Sequence, residues 1–204
     1  MKISNKLPES NPSVHLELVK NNWIPMKEPK NLTSAILLSI PLMIASAFIS
    51  IGIINIFSSI SLSDFGIKSD AITITINLSI ILWLFLLLVI HELIHLILIP
   101  NFVKSEKTYV GFTLFGGFVI TEEEISKSRY IIITIAPFVI ISIILPLVLS
   151  SLGLLTTTTL KFLIILNAMA SSVDLLNLLL IIKQVPKNAI LKSNGPNTYW
   201  KNAK

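Results

Sequence analysis

The 204-residue chain has no cysteine. Disulfides, thiolate nucleophiles and cysteine-ligated zinc are therefore excluded. Arginine occurs once, as Arg129, while lysine, isoleucine and asparagine are abundant, a bias typical of AT-rich bacterial genomes. Charged residues make up only 13% of the chain, about half the share usual in a soluble domain. A hydrophobic content of 53% excludes a disordered chain. The net charge of +5 is spread over tails and loops without interleaved aromatics, so no nucleic-acid partner is expected. The first 33 residues are polar and lysine-bearing with no early apolar core, and no signal peptide is expected.

What the chain does have is long apolar runs. A membrane-crossing helix needs about 20 mostly apolar residues. Four such blocks occur, at about 34–60, 73–100, 130–152 and 158–182. They predict an all-α integral membrane protein of four transmembrane helices, with a domain at 34–183 flanked by tails at 1–33 and 184–204. Pro41, Pro137 and Pro146 fall inside spans and predict kinks there. Fourteen basic residues lie on one set of tails and loops against two, Lys68 and Lys161, on the other. The positive-inside rule then puts both termini in the cytoplasm of a bacterial cell, and the even span count agrees. Trp23, Tyr199 and Trp200 are candidate interface anchors.

Between the second and third spans, KTYVGFTLFGGFVITEEE (107–124) breaks the helical pattern. Phe112 and Leu114 alternate with other residues, as do Phe118 and Ile120 beyond Gly116-Gly117. Two short alternating runs about a Gly-Gly predict a β-hairpin at the cytoplasmic membrane surface.

Ionisable groups deep in a span cost about 2.5 kcal/mol or more and persist for a reason. Only His91, Glu92, His95 and Asp174 qualify; Lys161 lies near a helix end and can snorkel. His91-Glu92-Leu93-Ile94-His95 is HExxH. The i, i+4 spacing sets both imidazoles on one helical face, one turn apart, where they can bind one metal, with Glu92 as general base. A catalytic zinc usually has three protein ligands and a water. The remaining histidine, His15, sits in the polar tail and reads as solvated. Asp174 is the intramembrane candidate for the third ligand. His91 precedes the span end at Pro100 by nine residues, and Asp174 precedes Lys183 by nine. Both helices run toward the cytoplasm, so both groups lie about 13 Å inside that boundary at 1.5 Å per residue. Small residues Ala170 and Ser171 on the Asp174 face allow close helix approach. Asn167 and Asn177 lie near the same face and are candidates for orienting Asp174, binding a substrate backbone or stabilising an oxyanion.

These residues resemble the site-2 protease type of intramembrane zinc metalloprotease, and more closely a family of small bacterial membrane zincin peptidases. The resemblance rests on NNWIPMKEPKN (21–31), HELIH (91–95), Ala136-Pro137 and SSVDLLNLLLIIKQVPKNA (171–189), and covers most of the chain. It implies one zinc per chain held by His91, His95 and Asp174, with Glu92 as base. Asn167 resembles the asparagine that site-2 proteases often carry two turns before their Asp ligand. Ile94 and the Ser-Val-Asp-Leu around Asp174 depart from the site-2 pattern. The function expected is zinc-dependent hydrolysis of membrane protein or peptide substrates near the cytoplasmic side of the bilayer. A non-catalytic metal-binding scaffold, or an ion or proton translocator using His91, Glu92 and Asp174, are the competing readings.

Overall fold

A computed structural model describes residues 1–61, 78–113, 116–155 and 157–203. In chain order the elements are β1 (Lys2–Ile3), α1 (Pro12–Lys20), β2 (Ile24–Pro25), α2 (Leu32–Phe57), α3 (Leu78–Leu98), β3 (Thr108–Thr113), β4 (Gly116–Thr121) and β5 (Ile125–Ser126). There follow α4 (Lys127–Pro137), a π-helical segment (Phe138–Ile144), α5 (Leu145–Ser151), α6 (Thr158–Ala170), α7 (Ser172–Gln184), β6 (Ala189–Asn194) and β7 (Asn197–Asn202).

Four helical rods are long and apolar enough to cross a membrane: Leu32–Phe57, Leu78–Leu98, Lys127–Ser151 and Thr158–Gln184. Residues 73–77, expected at the start of the second span, lie outside the described residues. Asn31 starts α2 with a reciprocal capping box, its carboxamide oxygen accepting from the Ser34 amide at 2.8 Å. The third rod is continuous but changes pitch after Pro137. The fourth breaks at Ser171, whose amide and hydroxyl both donate to the Asn167 carbonyl at 2.9 Å. Only 17% of the α2 and α3 spans is covered by protein, against 39% and 44% of the other two, so the latter form the centre. Leu37, Phe48 and Leu82 are among many large side chains facing outward, as lipid-facing residues do.

Three basic side chains close helix C-termini, where unpaired carbonyls concentrate negative partial charge. Lys161 donates to the Ser59 carbonyl just past α2 at 2.9 Å, Arg129 to Leu98 at the end of α3 at 2.9 Å, and Lys127 to Val185 past α7 at 2.5 Å. Lys161 is therefore buried against a helix end rather than extended to the interface.

The all-α expectation is overturned: the fold is mixed, with seven strands in two sheets among the described residues. Segments read as tails supply α1, β1, β2, β6 and β7. The four-stranded sheet has the order β2-β7-β6-β5, and all its pairs are antiparallel. Directly opposed residues share a face. Leu191 opposite Trp200 turns one face toward Ile181, Val185 and Met26, sealing the end of α7. Tyr199 opposite Lys192 turns the other face toward α1, where Leu18 and Trp23 pack. Trp23 and Tyr199 are thus core residues of a small cap, not interface anchors. A two-bond clamp ties the cap to α7: the Gln184 carboxamide accepts from the Lys27 amide at 2.8 Å and donates to its carbonyl at 3.0 Å.

The expected hairpin is present as β3-β4, in a sheet of order β1-β3-β4. Its register pairs Thr113 with Gly116, so Gly116-Gly117 lies inside β4 rather than in the turn; Leu114 and Phe115 lie outside the described residues. The hairpin does not stop at the end of α3 but runs along it. Gly117 abuts Glu92, Gly116 abuts Leu88, and Phe112 stacks on Phe85 with ring centroids 5.9 Å apart. β1 covers the outer edge of β3 in parallel, with the Ser4 amide donating to Val110 at 3.0 Å. A Cβ at Gly111 would sit 1.7 Å from the Ser4 carbonyl oxygen, so only glycine admits this strand.

Candidate metal centre

His91 and His95 project from one face of α3, as their i, i+4 spacing requires. Asp174 comes from the first turn of α7, just past the break at Ser171, where amide dipoles favour a carboxylate. Its Oδ2 lies 3.3 Å from His91 Nε2 and 3.6 Å from His95 Nε2. One donor atom from each residue falls within 4.8 Å of the others, and this is the group among the described residues that can hold a metal ion. Two ligands on a tetrahedral zinc with bonds of about 2.0–2.1 Å stand roughly 3.4 Å apart. The observed spacing fits that ion.

The far side of each imidazole fixes its tautomer. His91 Nδ1 is 2.9 Å from the Asn167 Oδ1. The Asn167 amide nitrogen donates to the Pro137 carbonyl at 3.2 Å and to Ser142 Oγ at 2.9 Å, and Ser142 donates onward to the Ile164 carbonyl at 3.2 Å. With its NH2 so committed, Asn167 presents its oxygen to His91 and must receive a proton from Nδ1. His95 Nδ1 is 2.8 Å from the Ile133 carbonyl, again an acceptor. In an α-helix that carbonyl would receive the N–H of residue 137, but residue 137 is proline and has none. Pro137 thus frees the acceptor that orients His95. Both histidines carry their proton on Nδ1 and aim the Nε2 lone pair at the same point, the arrangement a metal ligand requires.

The Asp174 side chain is the most open of the three: it keeps 24% of its surface against 9% and 11% for the His91 and His95 side chains, and Asn167 is 1% exposed. Glu92 is half-buried on α3 between the histidines and against β4. A Cβ at Gly117 would come within 2.4 Å of Glu92 Cγ and 2.9 Å of its Oε1, so the bare glycine lets the strand lie against the carboxylate. α2 packs on α6 and α7, and α3 on α4, α6 and β4, with little contact between α2 and α3 among the described residues.

Asn177, one turn beyond Asp174, is half-buried, and its side chain makes no hydrogen bond among the described residues. His15 is remote, its Nδ1 2.8 Å from the Tyr199 hydroxyl in the cap. The acidic run is tied into the fold: Glu122 accepts from the Gly195 amide, Glu123 from the Ser105 hydroxyl, and Glu124 pairs with Lys192 at 3.5 Å. Sequence reasoning did not find Ser142, the Ile133 carbonyl or Gly117. Of these, only the Ile133 carbonyl had a readable signal, the proline four residues later.

Residues 84–190 match the profile of a family described as "Putative zincin peptidase". No curated protein and no solved structure matches the chain. The match spans HELIH, Asn167 and Asp174 and more than half of the chain, which belongs to that family.

Proposed function

We propose that this zincin-family chain is an intramembrane zinc metalloprotease that hydrolyses peptide bonds of membrane protein substrates near the cytoplasmic side. Membership of the family supports metallopeptidase activity. The observation that carries the reading is the convergence of His91 Nε2, His95 Nε2 and Asp174 Oδ2 at zinc-ligand spacing among four apolar rods. A bound zinc would supply Lewis acidity, polarising the scissile carbonyl and lowering the pKa of water at the site toward neutrality.

The chain's own residues supply the rest. Asn167 and the Ile133 carbonyl hold the two imidazoles as Nε2 ligands. Glu92, half-buried beside them and against β4, takes a proton from water and returns it to the leaving amine. A membrane-embedded segment enters between α2 and α3, which touch each other little among the described residues. There a helix must unwind, because its own hydrogen bonds hide the scissile carbonyl. β4 favours that step. β1 covers β3, while β4 is an edge strand of its sheet among the described residues and lies against Glu92. An edge at membrane depth needs water or another strand to satisfy its backbone, so it is suited to accept an extended substrate by strand addition. Asn177 is available to hold the substrate backbone. The lysine-rich tails and the cap then face the cytoplasm.

The test is cleavage of a reporter membrane peptide by purified protein in liposomes. Wild type with zinc cleaves; Glu92→Gln keeps zinc and does not. Full activity of Glu92→Gln would refute the mechanism. Zinc-independent ion flux in the same liposomes would favour the translocator.

A further inference from the structure

Outside the metal centre, one cavity of about 450 Å³ lies in the cap, between the segment before α1, the loop before α2 and β7. Its volume falls in the range of ligand-binding pockets. Its wall includes Glu28, Met26, His15, Lys30, Thr198 and Tyr199. Glu28 Oε2 accepts from the Thr198 amide at 2.8 Å, continuing the ladder where β2 ends. No ammonium or guanidinium among the described residues pairs with this carboxylate. His15 is engaged with Tyr199, and Lys30 is exposed at the rim, free to extend into water. A half-buried, ionisable carboxylate on a cavity wall, with no cation paired to it among the described residues, is an unfavourable arrangement for folding alone. Burial raises the Glu28 pKa above the ordinary carboxylate range, against the smaller opposing effect of the Thr198 hydrogen bonds.

We propose that this cavity is a specificity subsite in which Glu28 receives the lysine or arginine flanking the cytoplasmic end of a substrate span. This rests on the protease reading above and deepens it. Any span oriented by the positive-inside rule carries such basic residues at its cytoplasmic end. Spacing supports the match. Glu28 follows Lys27, which Gln184 clamps at the end of α7, ten residues beyond Asp174. Ten helical residues rise about 15 Å. An extended substrate covers that distance in about five residues. The enzyme therefore prefers a basic residue about five positions to the cytoplasmic side of the scissile bond. A substrate held at both β4 and Glu28 has its register fixed.

The experiment measures binding of single-span peptides to the Glu92→Gln protein in liposomes by energy transfer. One lysine is walked through the cytoplasmic half of an otherwise uncharged peptide. Binding should peak at one position and weaken there by about tenfold in Glu28→Gln, as expected for loss of a hydrogen-bonded charge pair. Gln retains an acceptor for the Thr198 amide, and a melting curve checks that the variant is folded. A flat lysine profile, or a peak indifferent to Glu28→Gln, would overturn the proposal. Equal competition by free methylammonium at every lysine position would reassign the cavity to small amines and also overturn it. Cleavage of the same peptides by the Glu92-intact protein separates the two claims. Lysine-dependent binding without any cleavage would sink the protease reading alone, and cleavage without lysine preference would sink the subsite alone.

Discussion

Replacing Asn167 by alanine probes the link between helix packing and metal affinity. The substitution removes the acceptor for His91 Nδ1 and the donors to Pro137 and Ser142, all in a site that is 1% exposed. His91 is left with a buried, unpaired N–H, a loss of about 1–3 kcal/mol. Its ring is also free to adopt the other tautomer, which turns a proton rather than a lone pair toward Asp174. Removing the outer partner of a metal-bound histidine typically weakens metal binding 10- to 100-fold, or about 1.4–2.7 kcal/mol. Chelator competition in detergent would read the zinc affinity, and a melting curve of the metal-free protein would read the packing cost separately. Asn167→Asp keeps an acceptor toward His91 and loses the two donated bonds, so its zinc affinity should lie between wild type and Asn167→Ala. Wild-type zinc affinity in Asn167→Ala, with His91→Ala abolishing binding, would refute the orienting role.

Three further substitutions separate parts of the site. Gly117→Ala drives a methyl into Glu92 Cγ, so hydrolysis should fall at least tenfold while zinc content stays at wild type; parallel activity and metal assays check both. Pro137→Ala restores an N–H that competes with His95 for the Ile133 carbonyl, and zinc affinity should fall several-fold in the same competition assay. Glu28 has a folded pKa above its unfolded value, so the folded state binds more protons between the two values and stability falls as pH rises through that window. Glu28→Gln should therefore melt higher than wild type at neutral pH, and the difference should shrink as the pH is lowered below the ordinary carboxylate range.

The four rods and the His91, His95 and Asp174 cluster were legible in the sequence for the same reason: in a span of leucine and isoleucine, HELIH and Asp174 stand out, and helical rise converts sequence distance into depth. The cap was not. Its strands, Ala189–Asn194 and Asn197–Asn202, are short, mixed in polarity and lysine-bearing, and resemble a solvated tail until they pair. β2 and β5 have two residues each and exist only through partners far along the chain. The hairpin was legible as strands, but its position along α3 was not, because packing of Gly117 on Glu92 leaves no periodic signal. Asn167 was expected to orient Asp174, bind a substrate backbone or stabilise an oxyanion; its contact is instead with His91, set by Ser142 and the Pro137 carbonyl from another rod.

The central claim is one zinc site built from His91, His95 and Asp174 with Glu92 outside the ligand set. Metal analysis of the detergent-purified protein by mass spectrometry tests it most directly. About one zinc per chain is predicted for wild type and for Glu92→Gln, with loss in His91→Ala, His95→Ala and Asp174→Ala. A folded wild-type protein that takes up no zinc even after loading, or an Asp174→Ala variant that keeps it fully, would contradict the account.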